Sequence, residues 1–249
     1  MCLLALCYRV VDDSPLVVGA NREEAYARDG EPPQLLDGPL RAVGGRDPVA
    51  GGAWLAVNAR GVVIAVTNRH KLEPPARPRS RGLLVRDLLG CPTAAAAADQ
   101  AVRALGANAY AGCNLVCGDA DRLIVIHASD WLRVRYLPPG IHVLTSHDAD
   151  DGSDPRLGHA LGWLADHRFP TADDCAAALQ QLCAQRGEPG ASALGGSPPI
   201  CLRGQEHGTV SSSIVVLRQP LADSRFLHAQ GPPDRTGYLD YSHLFSNLL

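Results

Sequence analysis

The sequence predicts an α+β protein built as a four-layer αββα sandwich, and three observations carry that expectation. Six apolar runs have strand length and little in–out alternation, the mark of strands covered on both faces. Amphipathic helical segments fall between those runs, and each needs a sheet on which to bury its stripe. Two sheets packed face to face, with helices outside each, satisfy both demands.

The strand-length runs are LLAL (3–6), LVVGA (16–20), AWLAV (53–57), VVIAVT (62–67), LIVIHA (123–128) and SIVVL (213–217). Residues 51–68 read as a hairpin, with 58–61 (Asn-Ala-Arg-Gly) supplying the turn chemistry. A helix over 93–105 follows Pro92, starts on a Thr93 cap and stops at Gly106. A second, over 155–167, places Leu157, Ala160, Leu161 and Leu164 on one stripe. A third, over 171–185, opens on a capping-box pattern of Thr171 with Asp174 and aligns Cys175, Leu179, Leu182 and Cys183. Gly/Pro-rich stretches at 30–39, 74–79, 187–199 and 231–233 read as surface loops rather than linkers. With no internal repeat, the expectation is one domain over 1–249.

Composition removes several function classes. A net charge of −3 without a basic stripe argues against a nucleic-acid partner. The densest basic stretch, ARPRSRG (76–82), reads as a solvated loop entering a helix. No run reaches the ~18 residues of a membrane span, and no secretory signal opens the chain, so the expected location is cytoplasmic. The eight cysteines miss zinc spacings, which leaves reduced core residues and no metal as the expectation. There is no G-x-G-x-x-G or Walker pattern, so no cofactor is expected either, and nothing specifies an oligomeric state. A Ser-His-Asp hydrolase would show a G-x-S-x-G elbow; none is present.

Chemistry then has three polar clusters and one cysteine to work with. Asn21, Arg22, Glu23 and Glu24 follow the second apolar run, as a solvated turn or as a charged strand end. Asn68 closes another run, either as a turn residue or with its amide aimed into a cleft. His207, Thr209, Ser211 and Ser212 precede the last run, lining a pocket or bonding nearby backbone. Cys2 heads the first run. It is either a small hydrophobe at a strand end or, once Met1 is removed, a nucleophile carrying its own α-amine base.

Seven segments in order (MCLLAL, ANREEAYAR, GGAWLAV, AVTN, GCNLV, VLTS and HGTVSSSIVV) resemble the NRDE family, that of transport and Golgi organisation protein two. The likeness runs from Cys2 to about residue 217. It implies the αββα fold of N-terminal nucleophile hydrolases and a cysteine amide hydrolase or acyltransferase acting on a small acyl-amide substrate. Cys2 would be the nucleophile, Arg22 and Glu23 would lie beside it, and Asn68 would hold the oxyanion. Asn21, Trp54, Ser146, His207 and Thr209, which sit in the same segments, are the implied substrate-binding residues. The family also permits a non-catalytic haem or lipid carrier. Two positions depart from its pattern: Glu23 replaces the signature aspartate, and Val210 stands where an arginine is usual, which implies altered activity or a less anionic substrate.

Overall fold

The computed structural model describes residues 2–107, 109–187 and 196–248. The chain begins with β1 (Leu3–Val11), β2 (Ser14–Ala25), β3 (Glu31–Leu36), β4 (Ala42–Arg46), β5 (Ala53–Asn58) and β6 (Val63–Asn68). Two helices follow, α1 (Arg81–Leu88) and α2 (Ala94–Gly106), then β7 (Cys113–Gly118), β8 (Leu123–Ala128), β9 (Leu132–Leu137) and β10 (Gly140–Leu144). After α3 (Pro155–Ala165) and α4 (Ala172–Ala184) come β11 (His207–Leu217), β12 (Arg225–Ala229) and β13 (Leu239–Asp240).

One sheet has the order β10-β1-β2-β11-β12-β13, the other β3-β4-β5-β6-β7-β8-β9. Helices α3 and α4 cover the first sheet, and α1 and α2 the second, giving the expected αββα layers. The apolar runs lack alternation because each face of a strand meets a different core. In β1, Leu4, Leu6 and Tyr8 join the layer between the sheets, whereas Leu3, Ala5 and Cys7 pack under α3 and α4. Strands β5 and β6 divide likewise, with Leu55, Val57 and Val63 inside and Ala56 and Ile64 under α1 and α2. A two-faced strand can therefore be apolar throughout.

The helix caps form as the local sequence dictates. Thr93 accepts from the Ala96 backbone, and Thr171 makes a reciprocal capping box with Asp174. Cys175 and Cys183 are fully buried. Two expectations need correction. The 30–39 loop contains β3, whose Pro32 and Pro33 are tolerated because β3 is an edge strand with a register irregularity between Glu31 and Gln34. Residues 21–24 do not follow the second strand but belong to it, because β2 pairs with β1 as far as Asn21 and with β11 out to Ala25 opposite His207. Of the 187–199 loop, residues 188–195 lie outside the described residues, as does Met1.

A buried polar knot ties the second sheet to the loop after β10. Asn114 donates to the carbonyls of Thr145 and His147, while its Oδ1 accepts from His127 Nδ1 at 2.8 Å. His127 is wholly buried. Burial, helped by Arg69, Arg135 and Arg133 and opposed by Asp148, pulls its pKa down to about 4. The unfolded chain takes up this proton near 6.5 and the folded chain does not, so stability falls as pH drops from 6.5 towards 4. The expected loss over that window is about 3 kcal/mol, because each tenfold difference in proton affinity is worth about 1.4 kcal/mol. Urea midpoints across the window should fall in wild type and flatten in His127→Gln; parallel curves for the two proteins would refute the assignment.

Candidate active site

Pairing of Leu3 with Asn21 sets the site's register. The pleat alternates along β2. Asn21 accordingly points to the helix layer, where its amide donates to the Cys183 and Ile200 carbonyls at 2.9 and 3.2 Å. Arg22 turns the other way, and its guanidinium lies 4.6 Å from the centre of the Trp54 ring. A Cβ at Gly45 would overlap that ring, so the close approach of β4 to Trp54 depends on glycine there. Cys2, just before β1, lies beside this stretch with Sγ 4.0 Å from the Glu23 carbonyl oxygen.

Cys2, Arg22, Glu23, Trp54, Asn68 and Arg81 all line one cavity of about 310 Å³. Cys2 is half-buried, whereas the other seven cysteines are buried. Burial pushes the Cys2 thiol up and the Glu23 carboxylate adds to the rise; the Glu23 backbone contact and the Arg22 charge oppose it. The thiol at rest is therefore protonated at neutral pH, and nucleophilic use requires a base at the moment of attack. Asn68 closes β6 opposite Cys113. Its amide makes no side-chain hydrogen bond among the described residues. That leaves it available as a donor to a bound group.

Glu23 is only 4% exposed. Burial raises its pKa, and Arg156 opposes the rise. The Arg156 guanidinium donates to both carboxylate oxygens, at 2.5 and 3.4 Å, and also to the Pro199 and Ile200 carbonyls. Its position is set from the second sheet. Thr67 Oγ1 donates to the Thr145 carbonyl, and Thr145 Oγ1 donates to Asp154. Asp154 caps α3 by accepting from the Arg156 backbone N–H. Sequence reasoning missed Arg156; the only local signal was an Asp-Pro-Arg helix start, which says nothing about a partner 133 residues away.

The remaining implied residues divide. Trp54 lines the Cys2 cavity. His207, exposed at the start of β11, lines an adjoining cavity of about 250 Å³ that shares Glu23, Glu24 and Asn68 with it. Asn21 and Thr209 are committed elsewhere: besides the Asn21 bonds, the buried Thr209 Oγ1 accepts from the Leu202 backbone N–H. Ser146, in the loop after β10, is not among the residues lining the Cys2 cavity. Val210 occupies a register shift in β11, between Thr209 opposite Glu23 and Ser211 opposite Arg22. The loop expected to be merely solvated sends Arg79, Ser80 and Arg81 into the cavity wall. Among the described residues, no three His, Cys, Asp or Glu side chains converge to hold a metal ion, and no helix is long and apolar enough to cross a membrane.

This arrangement of layers is shared with solved structures. A Caenorhabditis elegans ortholog of N-acylethanolamine-hydrolyzing acid amidase superposes with a TM-score of 0.53 at 13% identity, over 86% of this chain and 92% of its own. Penicillin V acylase from Agrobacterium tumefaciens gives 0.53 at 10% identity, over 98% and 88%. A mutant conjugated bile acid hydrolase from Clostridium perfringens gives 0.51 at 12%, over 97% and 92%. At these identities the likeness is one of fold, and the fold is that of the N-terminal nucleophile hydrolases. Residues 1–220 match the family model described as Transport and Golgi organisation 2, and the chain belongs to that family. No curated protein matches it.

Proposed function

We propose that this protein is an N-terminal cysteine hydrolase or acyltransferase of small acyl amides. The observation that carries the reading is the half-buried Cys2 thiol at a cavity wall it shares with Arg22, Glu23 and the unengaged amide of Asn68. After removal of Met1, Cys2 Sγ attacks the amide carbonyl carbon while its α-amine takes the thiol proton. An α-amine titrates near 8 and is partly free base at neutral pH, so it supplies the base that the raised thiol needs. The C–N bond then breaks, the amine leaves with that proton, and a thioester remains on Sγ. Water or a second amine takes the acyl group and restores the thiol. Asn68 Nδ2–H holds the tetrahedral oxyanion, a contribution of about 3 kcal/mol. The buried Glu23 carboxylate, fixed by Arg156, positions the α-amine; the pairing of β1 with β2 brings the two together without a flexible linker.

Intact-mass measurement tests the covalent step. Protein produced in a bacterial host should lack Met1, and acid quenching during turnover of N-octanoylglycine should trap one octanoyl group, mapped to Cys2. Turnover by protein that retains Met1, or an adduct on another residue, would overturn the mechanism.

A further inference from the structure

We infer that the Cys2 cavity selects acyl amides bearing a carboxylate, and that Arg81 is the residue that reads it. This assignment of substrate class rests on the function proposed above.

The charges around the cavity do not cancel locally. Three acids line it. Glu23 is held by Arg156, and Asp47 by Arg28 at 2.6 Å. Glu24 reaches the same Arg28 at 3.8 Å. Of the lining cations, Arg28 is thus taken, and Arg79 pairs with Asp87 at 2.6 Å while also donating to the Tyr110 hydroxyl. Arg22 and Arg81 remain, and neither has a carboxylate within 4.0 Å among the described residues. Arg22 is buried and Arg81 half-buried, and guanidinium groups drawn out of bulk water are normally paired, so two without acids at one cavity mark a place for an incoming anion.

The two have different surroundings. Arg22 comes from the first sheet, lies against Trp54 and acts on the Cys2 thiol through its charge. Its positive charge belongs to the reacting centre. Arg81 comes from the second sheet's helix layer, and the reaction does not use it. Its Nη1 donates to the Gly112 carbonyl at 2.9 Å, an oxygen that also accepts from the Arg69 backbone N–H. That bond ties the guanidinium next to the β6–β7 end where Asn68 sits, yet leaves Nε and Nη2 without a partner among the described residues. An anchored guanidinium with a free edge suits planar, bidentate recognition of a carboxylate. Ser80 beside it makes no capping bond to α1, so its hydroxyl is a second donor on the same wall. Ala53, Trp54, Val66 and Ala111 supply apolar wall for the rest of an acyl amide. Val210 brings no charge to the neighbouring strand, and the cation enters from α1 instead.

Binding to full-length Cys2→Ala protein tests this without requiring turnover. The probes are N-octanoylglycine, its neutral partner N-octanoylglycinamide, and the mono-butylamide of adipic acid, which carries the carboxylate on the acyl half. By titration calorimetry, at least one carboxylate probe should bind at least about tenfold tighter than the neutral amide, equivalent to about 1.4 kcal/mol. Which one does so locates the anion on the amine or the acyl half. Adding Arg81→Gln should bring the ratio within about threefold, and Arg81→Lys should keep part of it. Equal affinities in the Cys2→Ala protein, or a preference that survives Arg81→Gln in folded protein, would overturn the inference. Turnover of the same probes by wild type separates the two readings. Selective binding without acyl release sinks the cysteine chemistry but leaves the anion site, whereas release without selectivity does the reverse.

Discussion

Cys2→Ala is expected to lower acyl release by at least about 10⁴-fold while leaving the fold intact, because it deletes the sulfur proposed as the nucleophile. The substitution removes one sulfur from a half-buried position at a cavity wall, so no closed void opens and thermal stability should change little. Asn68→Ala gives the comparison. An oxyanion donor acts chiefly in the transition state, so kcat should fall roughly a hundredfold or more with little change in KM. The double variant should be no slower than Cys2→Ala alone, since a donor to the tetrahedral state has nothing to stabilise once attack is impossible. Steady-state kinetics on N-octanoylglycine, with circular dichroism melts of each variant, provide the check. Turnover surviving in Cys2→Ala would remove the cysteine from the mechanism altogether.

Arg156→Met should have the largest effect on stability. Glu23 is almost fully buried and its carboxylate receives two hydrogen bonds from this one guanidinium. Removing one partner of a buried pair typically costs roughly 3–5 kcal/mol, because the other charge stays in a poor solvent. In a chain of this size that corresponds to roughly 10 °C in Tm. The pH dependence identifies the cause. Burial already raises the folded-state pKa of Glu23, and without Arg156 it should rise further. A native carboxyl that holds its proton to higher pH than the unfolded chain loses stability as pH rises through that pKa and regains it on acidification. Arg156→Met should therefore recover part of its deficit on acidification from neutral pH, relative to wild type at the same pH. Adding Glu23→Gln to Arg156→Met should recover it at neutral pH. A deficit that is independent of pH and unaffected by Glu23→Gln would mean that Arg156 acts through its bonds to Pro199 and Ile200 instead.

Much of the fold could be read from neighbouring residues alone. The helices begin at Thr93, Asp154 and Thr171, where capping side chains bond backbone groups two or three positions on. Apolar stripes and doubly apolar runs identify which segments must be covered and on how many faces. Cys2 and Asn68 announce themselves in the same way, as polar groups at the ends of apolar strands. These signals span a few residues, and the physics behind them (a cap, a helical period, the covering of an apolar face) has the same range.

The division of roles within Asn21, Arg22 and Glu23 has no such local code. Three adjacent polar residues look equivalent in the sequence, but strand register and pleat send Asn21 to the helix layer and Arg22 to the cavity. The partner that holds Glu23 comes from the start of a helix 133 residues later. Arg81, indistinguishable in the sequence from the other arginines of a basic loop, becomes a cavity wall because α1 packs over β5 and β6 and brings its side chain to Gly112. Charged side chains carry no periodicity that names their partners. Their pairing follows from which distant backbones the buried core brings together, so the sequence displays the candidate groups while tertiary packing chooses which of them meet.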